Sequence, residues 1–468
     1  MKIDMNDIKA LKGAKLSNED QYWYADGVST DTRKPLNKML FFAIRGERYD
    51  GHDFIKQAIA SGAAGVVINR AHEHIMHEYG NSAFVVSVDD TVQSLGELAH
   101  IIRNRYKRTV VSITGSNGKT TTKEILYRFL STTYKTGKNP GNLNNLIGVP
   151  LSILNMQNDT DIWILELGTS RYGELASLTG IASPDIGILT NIGRAHLEFF
   201  KDINGVAKAK SEMFMNMEQG RLAIVNADDP YALEIAKQYK GTVLTAGFSS
   251  DAYLRILSYE FTREGMNAEI MYEGEKRAFT TLLSGRHYLY DIALSMVCAL
   301  HLRVTWEAIK SVCRELKAFE GRGNVTIHKN GIVVIDDTYN ANPDSMISGF
   351  LSAMERYGQN KIVAVIGDML ELGEQTEEQH YRLGQFLAER GIGKFILIGR
   401  FSKNTMEGIK SVNRKDNVVK IVDGVNDAIK ELLALSNDKV VIYVKGSRGM
   451  KLEQVVSMYN SIMEGSNA

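Results

Sequence analysis

The sequence predicts an α/β protein built from three domains in series. Short apolar runs rich in β-branched residues, TVVSI, DIWILEL, PDIGILT and RLAIVNA, alternate with segments of helical periodicity, as a parallel sheet with crossover helices requires. The pattern restarts after Gly321 with GIVVIDD, KIVAVIGDM, KFILIGR, NVVKIV and KVVIYVKGS. At 468 residues the chain is also too long for one ordinary hydrophobic core, and three domains of normal size fit that length.

The elements follow in order. KMLFFAIRG, residues 38 to 46, reads as a strand, and FIKQAIASGAAGVVI as a helix, a glycine turn and a second strand. DDTVQSLGELAHIIRNRY places Val92, Leu95, Leu98 and Ile102 on one helical face after a polar start, closing a small α/β unit at about residue 107. The predicted domains are therefore 1–107, 108–321 and 322–468. Within the second, residues 252–283 read as an antiparallel excursion of the same domain. The third reads as Rossmann-like.

Hydrophobic residues make up 44% and charged residues 24%, the balance of a folded globular protein. Lys plus Arg and Asp plus Glu both total 55, so no excess charge is available to draw in nucleic acid or an anionic membrane, and any anion site must be local. The start MKIDMNDIKALKGAK lacks the apolar core of a signal peptide, and no run of about 18 apolar residues occurs, so a cytoplasmic protein is expected. Cys298 and Cys313 lack CxxC spacing and lie in amphipathic segments, where packing explains them better than a disulfide or a metal.

ITGSNGKTT, from residue 113, brings a strand into a helix whose inner face carries Ile125, Leu126, Phe129 and Leu130. Free N–H groups and the dipole at a helix N-terminus attract phosphate; glycines permit close approach, Lys119 can reach terminal phosphate oxygens and Thr120 can bind Mg²⁺. The central domain is thus of the P-loop ATPase type with ATP or GTP as ligand, although only two residues separate Gly115 and Gly118 where the common loop has four.

Three further residues belong to the same sheet edge or its surroundings. Glu166 closes WILEL, where open α/β sheets bind ligands, and can ligate Mg²⁺. His196 follows the next strand in TNIGRAHLE. Lys210 shares a helical face with Val206, Met213 and Phe214, so its stem either snorkels to water or burial lowers its pKa and frees the amine for covalent chemistry. In NANPDSM, Asn342 is a good N-cap, Pro343 suits the first helical position and Asp344 the first turn. Asp337 and Asn340 flank that start, and a capped helix with no ligand accounts for them equally well.

Taken together, TGSNGKTT, GNLNNLIGVP, LELG, NIGRAHLE, AKAKSE, NADDP and DDTYNANPDSM resemble the Mur ligase family of bacterial cell-wall synthesis. The resemblance runs in order over nearly the whole chain. It implies a UDP-sugar-binding N-terminal domain, a central ATP-binding domain, and a C-terminal domain that takes the incoming amine substrate and completes the ATP site. STDTRKPLNKMLFFAIRGERYDGHDF resembles the UDP-contacting domain shared by the branches that add the third residue and the terminal dipeptide, whereas DDTYNANPDSM, IGDMLELG and VKGSRGMKLE resemble the branch that joins D-alanyl-D-alanine to UDP-N-acetylmuramoyl-tripeptide through an acyl phosphate, with ATP giving ADP and phosphate.

By that resemblance the ATP turn comprises Gly115, Ser116, Asn117, Gly118, Lys119, Thr120 and Thr121, joined by Asn144, Asn145, Asp291, Arg322, Asp337 and Asn340. Lys119, Glu166, His196 and Lys210 would be catalytic. Thr120, Glu166, His196 and Lys210, the last carrying a CO₂-derived carbamate, would hold two Mg²⁺ ions. Ser29, Asp31, Thr32, Arg33, Arg45 and Gly46 would meet the UDP moiety. Asp291 stands where the family commonly has asparagine, and an ionised aspartate accepts hydrogen bonds but does not donate them. A monomer is expected. A specialised peptide or amino-acid ligase of the same fold and a nucleotide-binding protein without catalysis are the competing functions; the Lys119, Glu166, His196 and Lys210 set speaks against the latter.

Overall fold

The computed structural model describes residues 1–79, 82–414, 416–435 and 439–465; the last three residues of the predicted C-terminal domain, 466–468, lie outside them. Among the described residues the strands form three sheets, of five, nine and six strands.

The five-stranded sheet runs, edge to edge, through Lys15–Ser17, Val85–Val88, Gly65–Asn69, Met39–Phe42 and Gly27–Ser29, with only the first pair antiparallel. Its two edge strands have three residues each, too short to show a periodicity in the sequence. Helix Thr91–Tyr106 begins where the Asp90 carboxylate accepts from the N–H groups of Val92 and Gln93, and ends at Lys107 in the left-handed region. Leu95, Leu98 and Ile102 on its inner face are fully buried, each stabilising the fold by about 1.5–3 kcal/mol.

In the nine-stranded sheet, Thr109–Thr114 lies between Ile162–Glu166 and Ile186–Leu189, and all pairings from Thr136–Lys138 across to Leu254–Phe261 are parallel. Met266–Tyr272 and Glu275–Thr281 then extend the same sheet antiparallel, the arrangement read for residues 252–283. Helices Lys119–Leu130 and Arg286–His301 bury one face of it, with Ile125, Leu126, Phe129 and Leu130 all inaccessible and both cysteines free and buried in the same core.

The six-stranded sheet has the order Asn324–Ile327, Val333–Asp337, Val441–Lys445, Ile362–Gly367, Lys394–Ile398 and Val418–Val422, parallel except for its first pair. Helix Pro343–Tyr357 starts as the sequence predicts: Asn342 accepts from Ser345 N–H, Ser345 Oγ accepts from Asn342 N–H, and Pro343 takes the first position.

The sheets are tied side chain to backbone. Asn155 accepts from Val28 N–H at 3.0 Å and donates to Val28 C=O at 2.9 Å, acting as a one-residue strand neighbour to Gly27–Ser29; a Cβ on Gly27 would collide with its amide. Among the described residues no helix is long and apolar enough to cross a membrane.

Candidate nucleotide and metal site

Strand Thr109–Thr114 emerges where the connections diverge to either side of it, the position at which open α/β sheets bind ligands. Gly115 and Gly118 have φ of +148° and +81°, values L-residues rarely adopt. Space demands glycine as well: a Cβ on Gly115 would meet Thr190 Oγ1, and one on Gly118 the Asp291 carboxyl group. The turn is bolted to the next strand's end by Asn117 N–H donating to Asn191 Oδ1 at 3.0 Å and by Gly193 N–H donating to Ser116 Oγ at 2.8 Å. Lys119 opens the helix and folds back, its Nζ 2.7 Å from Gly115 O and 3.1 Å from Ser116 O. The ammonium therefore sits over the turn.

Glu166 is 2% exposed at the end of its strand. Oε1 accepts from Asn144 Nδ2 at 2.8 Å; Oε2 accepts from Thr120 Oγ1 at 2.9 Å and stands 3.3 Å from Lys123 Nζ. Burial alone would raise its pKa, but Lys123 and Lys119, with the two hydrogen bonds, hold the carboxyl below its ordinary range. Lys123 was not singled out from the sequence. It is fully buried, donating to Asn139 O and Gly141 O at 3.1 and 2.8 Å, and so fastens the asparagine-rich turn to the phosphate helix. The signal was present: Lys123 lies four residues after Lys119, one turn up the same helical face. Asn145 Oδ1 instead accepts from the N–H groups of Ile147 and Gly148 at 3.2 and 2.8 Å, fixing the turn that leads into helix Gly148–Leu154.

The structure decides between the two readings of Lys210. With Val206, Met213 and Phe214 buried around it, the side chain is 1% exposed and does not snorkel. Burial, reinforced by the Lys119 charge, drives its pKa well below the ordinary lysine value. Its ammonium meets no hydrogen-bond acceptor among the described residues. His196 takes left-handed backbone, φ +54°, at the start of helix Leu197–Phe200. Its Nδ1 stands 2.6 Å from Glu371 Oε2 of the C-terminal sheet's loop, without hydrogen-bond alignment, and the imidazole holds the Glu371 carboxyl below its usual range.

Asp291 is buried behind Gly118 and accepts from Thr122 Oγ1 at 3.1 Å. Burial pushes its pKa up to about 8, so near neutrality the group is largely a carboxylic acid that both donates and accepts. A donor as well as an acceptor is thereby available where the family commonly has asparagine. From the C-terminal side, Arg322 Nη2 donates to Thr120 Oγ1 at 3.0 Å while its guanidinium lies 3.8 Å from the Tyr339 ring centroid. Asp337 is already engaged: Lys445 Nζ and Tyr443 Oη donate to its Oδ2 at 2.7 and 2.8 Å, and Lys445 also donates to Asn340 O.

These groups meet at a cleft of about 1570 Å³ between the central and C-terminal sheets. Ser116 to Thr121, Asn144, Asn145, Glu166, His196, Asp291, Arg322, Asp337 and Asn340 all reach its walls. Gly115 and Lys210 do not; they lie beneath. Ser29, Asp31, Thr32, Arg33, Arg45 and Gly46 are on the five-stranded domain, away from these walls. There Asp31 binds Arg33 through two oxygens at 2.8 and 3.0 Å, which lowers the Asp31 pKa to about 2, and Thr32 Oγ1 donates to Gln57 Oε1. Arg45 and Gly46 flank a tight turn closed by Gly46 N–H donating to Tyr49 O. Nearby, Asp50, His52 and His72 cluster, but His52 spends Nδ1 on Asp50 and Nε2 on Asn69 N–H, leaving no lone pair for a metal.

Three family models match the chain in order: "Mur ligase family, catalytic domain" over residues 25–103, "Mur ligase middle domain" over 113–299 and "Mur ligase, glutamate ligase domain" over 321–448. A Bacillus subtilis UDP-N-acetylmuramoyl-tripeptide–D-alanyl-D-alanine ligase is 32% identical over 451 residues, 96% of each chain. The chain belongs to the Mur ligase family. Among solved structures, Acinetobacter baumannii MurF superposes on this Mur ligase with a TM-score of 0.88 at 27% identity over 99% of both chains. Thermotoga maritima MurF in complex with ADP gives 0.82 at 31% identity, covering 94% of this chain and 98% of that one. The three-domain α/β architecture of this Mur ligase is thus shared along its whole length.

Proposed function

We propose that this Mur ligase joins D-alanyl-D-alanine to UDP-N-acetylmuramoyl-tripeptide at the expense of ATP, completing the UDP-linked pentapeptide precursor of peptidoglycan. The observation that carries the reading is the meeting, in one cleft, of the phosphate turn, the Thr120–Glu166 pair and Arg322 from the C-terminal domain. The names and full-length similarity of its relatives support the substrates.

A carboxylate oxygen of the tripeptide attacks the γ-phosphorus of ATP, the bond to the β-phosphate oxygen breaks and ADP leaves. The free amine of the dipeptide then attacks the acyl phosphate; the tetrahedral intermediate expels inorganic phosphate and the nitrogen gives up a proton. Lys119 and Arg322, with the N–H groups opening the helix at Lys119, offset charge on the transferring phosphoryl group. The C-terminal domain shields the acyl phosphate from water.

Thr120 and Glu166 present adjacent hard oxygen donors, which fit Mg²⁺; His196 and Lys210 as its carbamate would complete the set, and the ions would supply further charge neutralisation at the phosphates. Lys210 fits the modification because a buried amine of depressed pKa without an acceptor is poised to react with CO₂, and the product is an anion beside Lys119.

In this reading residues 1–107 bind the UDP-sugar through the turns around Ser29 to Arg33 and Arg45 to Gly46, residues 108–321 bind ATP, and residues 322–468 receive the dipeptide. The protein works as a cytoplasmic monomer, where ATP and both substrates are available. The test is ADP and phosphate release with each substrate omitted in turn and the product identified by mass. A UDP-linked pentapeptide formed only with all components is expected; ATP hydrolysis indifferent to the dipeptide would refute the reading.

A further inference from the structure

Arg194 lies in the loop between strand Ile186–Leu189 and helix Leu197–Phe200, and Asp344 is the second residue of helix Pro343–Tyr357 in the other domain. The contact is a fork. Asp344 Oδ1 accepts from Arg194 Nε at 3.2 Å and Nη2 at 2.9 Å, while Oδ2 accepts from the Arg194 backbone N–H. Gly193 makes room for this: a Cβ there would stand 2.9 Å from Asp344 Oδ2. An acidic residue in the first turn of a helix would serve the dipole without any partner. Here the carboxylate is turned across the cleft to three donors of one residue, a geometry the dipole does not require.

Two positions back, at the cap of the same helix, Asn342 exchanges amides with Asn117 of the phosphate turn, Asn342 Nδ2 donating at 2.8 Å and Asn117 Nδ2 at 3.4 Å. Asn342 also caps its helix, and the Asn117 backbone N–H is fixed to Asn191 Oδ1, so the exchange joins two anchored segments. The helix start is thereby attached to the turn that holds nucleotide and to the loop one strand away. Nucleotide that orders the turn favours the docked domain, and a docked domain favours nucleotide.

We infer that Arg194 and Asp344 form a charge clamp that selects the docked arrangement of the C-terminal domain over the nucleotide cleft, Arg194 serving as a positioning residue for the ligation proposed above. The clamp rests on that reading only for its consequence in turnover; its effect on docking and nucleotide affinity stands apart. The side chains are 37% and 29% exposed, so added salt screens them.

The experiment compares the wild type, Arg194→Ala, Asp344→Ala and the double variant, measuring ADP affinity by calorimetry and domain docking by small-angle scattering, each at low salt and at about 0.5 M NaCl. Each single substitution is expected to weaken ADP binding about tenfold and to enlarge the scattering radius, with the double variant no worse than the weaker single. The salt sensitivity of the wild type should be much reduced in all three variants, and Arg194→Lys should restore part of the affinity. Losses that add in the double variant, unchanged affinity and scattering, or a lowered melting temperature without either change would each overturn the clamp. Pentapeptide synthesis by the wild type is recorded in parallel. Its absence would refute the ligase reading while leaving the binding and scattering results to decide the clamp.

Discussion

Thr120 Oγ1 donates to Glu166 Oε2 at 2.9 Å across the mouth of the phosphate turn, joining the first turn of one helix to the end of a strand 46 residues away. Glu166→Gln keeps the shape and removes the charge. It leaves the buried Lys123 with only Glu124, 3.8 Å away, as a counter-ion, so a stability loss of up to about 3–5 kcal/mol is expected. A fall in turnover of about 100-fold or more, with a higher Mg²⁺ requirement, should accompany it. Thermal unfolding and a Mg²⁺ titration of ADP formation check both.

Lys123→Met tests the counter-ion from its other side. The Glu166 pKa is lowered in the folded protein, so its contribution to stability is present above the unfolded value near 4.5 and lost as pH falls through the folded one. Without Lys123 the lowering shrinks, and the acid limb of unfolding should move to higher pH. Denaturant unfolding between about pH 3 and 7 reads the shift; superimposable acid limbs would show that Lys123 does not govern Glu166.

Asp291→Asn gives the opposite sign. The folded pKa of Asp291 is raised to about 8, so the stability associated with its neutral form is complete below the unfolded pKa of 3.8 and is lost as pH rises through the folded value. The amide is neutral throughout and keeps an acceptor for Thr122. The variant should gain on the wild type by up to a few kcal/mol as pH climbs from about 4 to 8, then run parallel. Parallel stability curves over the whole range would remove the neutral acid from the account. Adenosine nucleotide binding should survive the substitution.

Lys210→Ala should abolish turnover while leaving ADP binding within about threefold, because the side chain lies beneath the cleft and not on its wall. Short carboxylic acids should restore part of the activity if the working group is a carbamate. Depletion of CO₂ should lower wild-type turnover in the same way, and full activity in CO₂-free buffer would exclude the modification.

Gly118→Ala combines two faults, left-handed backbone and the Asp291 carboxyl group in the path of the new methyl. A loss of stability of about 1–3 kcal/mol and a collapse of nucleotide affinity are expected. Paired with Asp291→Ala, which clears the space, affinity should return in part, since only the backbone strain remains.

Local interactions were legible because they act within a few residues. The apolar runs of the parallel strands, the inner face Ile125, Leu126, Phe129 and Leu130, the phosphate turn and the Asn342 cap depend on neighbours one to four positions away, and the sequence displays those neighbours directly. The three-residue strands at Lys15–Ser17, Gly27–Ser29 and Thr136–Lys138 carry no readable period and exist because a sheet edge pairs with them. Tertiary structure alone decided the states of the charged residues. The apolar face of Lys210 left snorkelling and burial open and Lys123 carried no mark of its own, until burial removed water from both, leaving Lys123 with Glu166 at hand and Lys210 with no acceptor. Asp291 turns acidic or neutral according to what surrounds its carboxyl group, and Arg194 finds Asp344 150 positions along the chain. The sequence by itself determined the order of the longer strands and of the helices and turns that carry a local pattern; the balance between desolvation and charge pairing, which sets how the site works, exists only once distant segments have excluded the solvent between them.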